Sequence, residues 1–287
     1  MATEQLSAEH VSAVNEKCRR LKELLHAPEI LNMPGAFNPL SALLFQHIGF
    51  PAIQGSSAGI ANALGYADLG IPRETTVNVT GQIAAAVSVP VNADGEDGFG
   101  GPDDVRETVR LFVGAGAVGM NMEDSDRAQR GVLLDAGFQL EKIAAFMAAR
   151  EELGSEFLLN ARCDAFIAMS DDRPAALAEA VRRGQAYAGA RADSVFFFGV
   201  RDADEIRALV REVPAPVSIL AVPGMPSARE MEEMGVARIS YGSLFLRVAI
   251  AALKSAATEV LETKMHDSLA EGIPGAELKA ILEERRA

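Results

Sequence analysis

Eight short runs of apolar, β-forming residues recur along this chain, each followed by a stretch whose apolar residues fall at helical spacing. This alternation is the feature that most constrains the fold. The runs cover 30–33, 52–55, 89–93, 118–122, 157–161, 194–198, 217–221 and 238–241, and helical patterns lie between them, as at 102–113, 139–152, 174–188 and 203–210. Strict alternation of strand and helix calls for a parallel sheet with right-handed crossovers, and eight such units close a barrel. A doubly wound open sheet is the competing arrangement, but it uses fewer strands, and no G-x-G-x-x-G opens a helix after the first run. The expectation is a single-domain (β/α)8 (TIM) barrel within 1–287, the barrel itself filling about 28–245. An extra helix is expected before it, over 5–26. After residue 245 come a long amphipathic helix, a break at Gly272, Pro274 and Gly275, and a last charged helix to residue 287.

At 287 residues, 49% of them hydrophobic, the chain can bury one core of that size. The longest apolar stretch near the C-terminus, 244–252, is interrupted by Arg247 and falls well short of the roughly 20 residues a membrane span needs. The opening MATEQLSAEH has no basic region followed by an apolar one, and Cys18 and Cys163 form no disulfide framework, so a cytoplasmic location without a secretory leader is expected. A net charge of -13 opposes sequence-independent attraction to nucleic acid or anionic membranes. The expected partner is a small carboxylate, which needs positive charge from a metal or a placed arginine.

In such a barrel the chemistry sits at the C-terminal ends of the strands. Here the third run leads into Asp94, Gly95, Glu96, Asp97, Gly98, Phe99 and Gly100, the fourth into Glu123 and Asp124, and the fifth into Arg162, Cys163 and Asp164. Lys17, Lys22, Lys142, Lys254, Lys264 and Lys279 all lie in helical segments, so no strand-borne amine is available for a Schiff base. His10, His26, His47 and His266 also lie away from strand ends, which removes the usual general base and zinc ligand. A hard cation with oxygen ligands remains, and Asp94, Glu96 and Glu123 suit magnesium, with manganese as a substitute.

Acidic residues after strands are often helix caps, and Asp103, Asp104 and Asp202 fit that role. Asp94, Glu96 and Glu123 instead follow apolar strand residues directly, where an unpaired carboxylate is costly. Arg162 is either a structural partner of these acids or the clamp on a substrate carboxylate. Cys163, with no histidine to activate it, is read as an inert buried thiol. The turn at Gly55, Ser56, Ser57, Ala58 and Gly59 offers N–H groups and hydroxyls to an anion. Residues 125–137 are expected to form a mobile lid, with Arg130 binding a second carboxylate while water or Ser125 completes proton transfer.

With these residues in view, the chain resembles the isocitrate lyase and phosphoenolpyruvate mutase superfamily. D-x-E-x-G-F-G at 94–100 resembles its D-x-D-x-G-Y-G metal loop, M-E-D-S at 122–125 its E-D strand end, and N-A-R-C-D-A at 160–165 its N-A-R-T-D-A segment. G-S-S-A-G at 55–59 resembles the turn that holds the substrate's carboxylate and oxo group, with Ser56, Ser57 and Ala58. Asp68, in G-Y-A-D-L-G, sits where the family keeps an acid near the metal. The resemblance implies a magnesium-dependent barrel that makes or breaks a carbon–carbon or carbon–phosphorus bond beside a 2-oxo acid through an enolate. Arg162, Glu123, Asp68 and Ser125 are then the expected catalytic groups. It also implies a homotetramer, a dimer of dimers that exchange a C-terminal helix. The lyases' K-[KR]-C-G loop has no counterpart at 124–131, which carries neither Lys nor Cys, so isocitrate and methylisocitrate cleavage are not expected. The remaining alternatives are carbon–phosphorus chemistry on the same enolate, or a barrel that binds a 2-oxo acid without turnover.

Overall fold

Every run expected to form a strand does so, and all the strands pair in parallel. The computed structural model describes residues 6–129 and 131–284. Its strands are β1 (Leu31–Met33), β2 (Gly35–Ala36), β3 (Ile53–Gly55), β4 (Val91–Asp94), β5 (Gly119–Glu123), β6 (Leu158–Cys163), β7 (Ser194–Phe197), β8 (Val217–Leu220) and β9 (Arg238–Ser240). They pair in the order β1-β9-β8-β7-β6-β5-β4-β3-β2. β1 falls in the first expected run, and β2 carries the strand on beyond that run's end, the two divided at Pro34, which has no N–H to give a ladder. β1 pairs with β9 and β2 with β3, so the ring closes through this one stretch of chain. The result is the expected (β/α)8 barrel.

The helices are α1 (Ala8–Leu25), α2 (Pro39–Ile48), α3 (Ser57–Ala63), α4 (Arg73–Ala86), α5 (Pro102–Gly114), α6 (Ala136–Glu152), α7 (Ala165–Ala168), α8 (Arg173–Gly189), α9 (Ala203–Glu212), α10 (Ala228–Glu233), α11 (Leu244–Thr263) and α12 (Gly275–Glu283). Ser7 caps α1, which buries Val11, Val14, Cys18, Leu21 and Leu25, a stripe at helical spacing. Asp202 caps α9, accepting from its first turn; the N-cap of α5 is Gly101, with Asp103 and Asp104 inside the helix, and Asp104 accepts from Gly101 N at 3.1 Å. The main core runs between strands and helices through Phe112, Phe146, Phe157 and Phe197. A smaller one, around Phe45, Ile53 and Ile83, includes Ile281 of α12.

Beyond the barrel the two helices behave differently. α12 packs back onto α2, where Ile281 is buried and His47 Nδ1 lies 2.5 Å from Glu284 Oε1. α11 buries Leu246 but leaves Val248, Leu253 and Leu261 between 64% and 71% exposed. No helix among the described residues is long and apolar enough to cross a membrane.

Barrel closure depends on a close backbone approach at Gly35, where a Cβ would lie 2.0 Å from Gly242 O. A backbone carbonyl cannot step aside as a flexible side chain can. Gly35→Ala is therefore expected to lower unfolding free energy by at least about 2 kcal/mol. Gly189→Ala, in α8 with open space around it, should leave stability unchanged or raise it by up to about 1 kcal/mol. Urea unfolding of both variants checks the contrast; equal midpoints would show that the β1–β2 seam tolerates a side chain.

Candidate active site

The strands' C-terminal ends open into a cavity of about 420 Å³. Of the expected residues, Ser56, Ser57, Ala58, Asp68, Asp94, Glu123, Ser125 and Arg162 line it. Glu96 does not, and Arg130 lies outside the described residues.

Asp94 is the last residue of β4, paired in register with Asn121 of β5, so the ladder runs one residue further than expected. Its Oδ2 accepts from Ser57 Oγ at 2.8 Å and Ser57 N at 3.2 Å. Burial raises the pKa of the Asp94 carboxyl, while Arg162 and the Ser57 donors oppose the rise. Ser56 accepts from Gly59 N at 3.1 Å and caps α3. The turn's donors are thus largely engaged by protein groups, and the first-turn N–H of Ala58 has no acceptor within its own helix.

After Asp94 the chain turns sharply. Glu96 (φ 47°) and Phe99 (φ 62°) both adopt left-handed backbone with Gly98 between them. Such conformations cost of order 1–3 kcal/mol each and persist only where the surroundings enforce them. The turn takes Glu96 off the pleat it would have shared with Asp94, so the two carboxylates do not point one way. Glu96 is 1% exposed, and its Oε2 meets Arg127 Nε at 2.8 Å without hydrogen-bond alignment for either oxygen. Burial pushes its pKa up to about 8 against the pull of Arg127, with Asp94, Asp97 and Asp68 adding to the rise. Asp97 faces the fully buried Lys142 of α6, with 3.9 Å between Oδ2 and Nζ.

Glu123 ends β5 and Arg162 is its in-register neighbour on β6. Arg162 Nη1 lies 2.5 Å from Glu123 Oε2, while its Nε and Nη2 donate to Asp164 at 2.6 and 2.9 Å. The guanidinium also lies over the Phe198 ring, 4.0 Å from its centre. Burial raises the pKa of Glu123 although Arg162 pulls it down, and Glu123 and Asp164 hold the Arg162 proton more firmly than usual. Ser125 Oγ donates to Asp164 Oδ2. Cys163 is fully buried, its thiol pushed well up by desolvation.

Asp124 anchors this group from behind. It is completely buried, with Oδ1 accepting from Asp164 N at 2.8 Å and Oδ2 from Tyr187 OH at 2.6 Å and Arg183 Nη1 at 3.0 Å. Arg183 also donates to Leu134 O at 2.8 Å, which fastens the base of the lid to α8. Ser125 and Leu133 form an antiparallel bridge, and Asp135 caps α6 by accepting from Phe138 N. The lid therefore ends at residue 134 rather than 137, because Asp135 starts the helix. Arg127 fixes its tip, donating to Leu69 O at 2.9 Å and Ile71 O at 2.8 Å.

Two features of the site escape sequence reasoning. A belt of amides crosses the barrel interior: Asn92 donates to Gln54 and Asn121, Asn160 to Asn121, and Ser194 to Asn160. Arg238 of β9 is buried among them, donating to Gln54, with no carboxylate at ion-pair distance among the described residues. The available signal was a lone polar residue inside each apolar run, as in V-N-A, M-N-M and L-N-A. The second feature is the opposite wall of the cavity, where Phe196, Phe198, Leu220 and Val222 line the ends of β7 and β8.

No group of three or more acidic, His or Cys side chains gathers closely enough to ligate one ion among the described residues. What is present suits a cation held through few direct ligands and several waters, as magnesium is. Asp94 and Glu123 share the cavity wall, and Glu96 brings two buried oxygens without hydrogen bonds behind it. Each acid raises its neighbours' pKa, so added positive charge would be favoured there.

A closed parallel barrel whose charged side chains crowd one rim is the build of an α/β-barrel enzyme. The chain belongs to the phosphoenolpyruvate phosphomutase family, whose model matches residues 21–261. It is 31% identical over 263 residues to a Corynebacterium glutamicum protein named probable 2-methylisocitrate lyase 2, covering 88% of this chain and 83% of that one. It is 32% identical over 252 residues to phosphonopyruvate hydrolase of Variovorax sp., covering 83% and 84%. Its fold matches a crystal structure of phosphonopyruvate hydrolase in complex with oxalate and Mg++, with a TM-score of 0.82 at 28% identity over 94% of this chain and 95% of that one. Its relatives thus include proteins named as lyases, hydrolases and mutases.

The Asp124 network yields a direct test. Arg183→Met leaves a buried carboxylate without its cation and should cost about 3–5 kcal/mol of stability. Tyr187→Phe removes one hydrogen bond to the same oxygen and should cost about 1–3 kcal/mol. Urea denaturation measures both, and an Arg183→Met protein as stable as wild type would show that Asp124 is not held ionised by this contact.

Proposed function

We propose that this protein is a magnesium-dependent lyase or hydrolase that cleaves a carbon–carbon bond of a small 2-oxo or 2-hydroxy mono- or dicarboxylate through an enolate. The observation that carries the reading is one cavity wall on which Asp94 and Glu123 from adjacent strands stand beside Arg162 and the Ser56–Ser57 turn. The similarity to proteins named 2-methylisocitrate lyase and phosphonopyruvate hydrolase supports it, as does the oxalate and Mg++ complex of the latter. Asp94 and Glu123 would hold the ion, with Asp68 on the same wall and Glu96 behind; manganese would substitute.

When bound, the cation would act as a Lewis acid on the 2-oxo oxygen, where negative charge develops. Arg162 would present its fork to the substrate carboxylate, and the Ala58 N–H with the serine hydroxyls would complete that subsite. Glu123 and Asp164 hold Arg162 in place, so its orientation is set before substrate arrives. Ser125, which points its proton at Asp164, would carry proton transfer, while the lid excludes water. Arg130 would bind a second carboxylate where the substrate has one.

The lid lacks both Lys and Cys, and this supports an activity other than isocitrate or methylisocitrate cleavage of the K-[KR]-C-G type. The same lid keeps binding without turnover as a second reading. Similarity to phosphonopyruvate hydrolase supports carbon–phosphorus chemistry as a third. We also propose that the exposed apolar side chains of α11 are covered by a second copy, in a homotetramer of helix-exchanging dimers. Monomer alone in sedimentation velocity would contradict that assembly.

Screening oxaloacetate, alkylmalates and phosphonopyruvate with magnesium tests the activity. Turnover should vanish on chelation and return with magnesium or manganese; full activity after exhaustive chelation would remove the metal. Arg162→Lys keeps the charge but loses the fork, and should lower kcat/KM at least about tenfold. An unchanged value would make Arg162 structural only.

A further inference from the structure

The amides of the belt that crosses the barrel have no freedom in the way they point. At one end Gln54 Nε2 donates to the backbone carbonyls of Gly55 and Ala93, at 2.6 and 3.0 Å, and Asn92 Nδ2 donates to Ala93 O at 2.9 Å. A carbonyl only accepts, so both amides must turn their N–H groups toward it. At the other end stands Arg238, 1% exposed, and a guanidinium only donates. Gln54 Oε1 accordingly accepts from Arg238 Nη2, and from Asn92 Nδ2 at 3.0 Å. Reversing either amide would leave buried groups without partners.

This polarity passes to Asn121 of β5. Its Oδ1 accepts from Asn92 Nδ2 at 3.1 Å, Asn160 Nδ2 at 2.8 Å and Arg238 Nη2 at 3.4 Å. With the oxygen so occupied, Asn121 Nδ2 must point the other way, and among the described residues it meets no acceptor. Asn121 is nevertheless not sealed into the core. It lines the cavity, in register with Asp94 of β4 and two residues before Glu123, on the same face of β5. Gln54 lines the cavity too, but its N–H groups are both engaged by carbonyls. Asn121 is thus the member of the belt with a donor left to offer.

We propose that Asn121 is a substrate-binding residue whose carboxamide N–H2, held toward the cavity by Arg238 and the belt, donates to a carboxylate or oxo oxygen of the bound acid. This rests on the 2-oxo acid reading above and adds a neutral donor to its cation and its arginine. Arg238 is then a positioning residue, acting through Asn121 rather than on the substrate. The direction of the amide also selects: an accepting oxygen gains a bond there, whereas an ammonium group in its place meets only N–H groups.

Asn121→Asp separates binding from structure. Aspartate has nearly the same shape, and one of its oxygens accepts the same belt donors with the Arg238 charge as partner, so the urea unfolding midpoint should not fall. Its other oxygen puts an acceptor where the N–H2 faced the cavity. Calorimetric titration with oxalate at saturating magnesium should then give an affinity at least about tenfold below wild type. A folded variant that binds oxalate as tightly as wild type overturns the assignment. Asparagine-selective isotope labelling gives a reading by NMR on the unaltered protein. The Asn121 side-chain amide signal should shift when oxalate is added to the magnesium-loaded wild type, and a signal that stays in place while oxalate binds also overturns the assignment. Failure of the wild type to bind oxalate at all overturns the 2-oxo acid reading, and this contact with it.

Discussion

Everything at the rim of this barrel depends on compensating the charge of carboxylates that the strands carry out of water. Asp94, Glu96, Glu123, Asp124 and Asp164 are all buried or nearly so, and each isolated buried carboxylate would cost several kcal/mol. The answer is a small set of arginines, each shared. Arg162 serves Glu123 and Asp164, Arg183 serves Asp124 and the lid base, and Arg127 serves Glu96 and two loop carbonyls. The same contacts that neutralise charge also tie the lid, the acidic loop and the β3–α4 connection to one another. Stability and site geometry are therefore one problem here, and removing an arginine disturbs both.

Compensation is incomplete in one place. Both oxygens of Glu96 lack an aligned hydrogen bond, and the acids around it raise one another's pKa. Beneath them Arg238 sits within a belt of neutral amides, its charge opposed by no acid at contact distance. Arg238 therefore brings buried positive charge beneath a cavity whose rim carries acids, Arg162 and the aromatic rings of Phe196 and Phe198. An anion that brings or shares a cation fits that field better than a free anion or a free cation alone.

The fold was legible because hydrophobic periodicity is a local signal, and eight runs of it survive in the chain as the eight barrel strands. Asp94, Glu123 and Arg162 were legible for a related reason: charged residues directly after apolar strands must lie at a barrel mouth. Glu96 falls on a turn of left-handed backbone, and residue types alone do not give the direction its side chain takes there. The lid's end at residue 134 turned on a helix cap, Asp135, that reads equally well as loop. The amide belt and the pairing of Asp124 with Arg183 and Tyr187 span more than 25 residues each, and long-range pairs leave no mark on a single sequence.

A crystal structure with magnesium and oxalate tests the central claim most directly, because oxalate presents two adjacent carboxylate groups in the size of a 2-oxo acid. The account expects an ion beside Asp94 and Glu123, with oxalate bridging from it toward Arg162 and the Ser57–Ala58 turn. An ion elsewhere, or oxalate bound away from those residues, would contradict it.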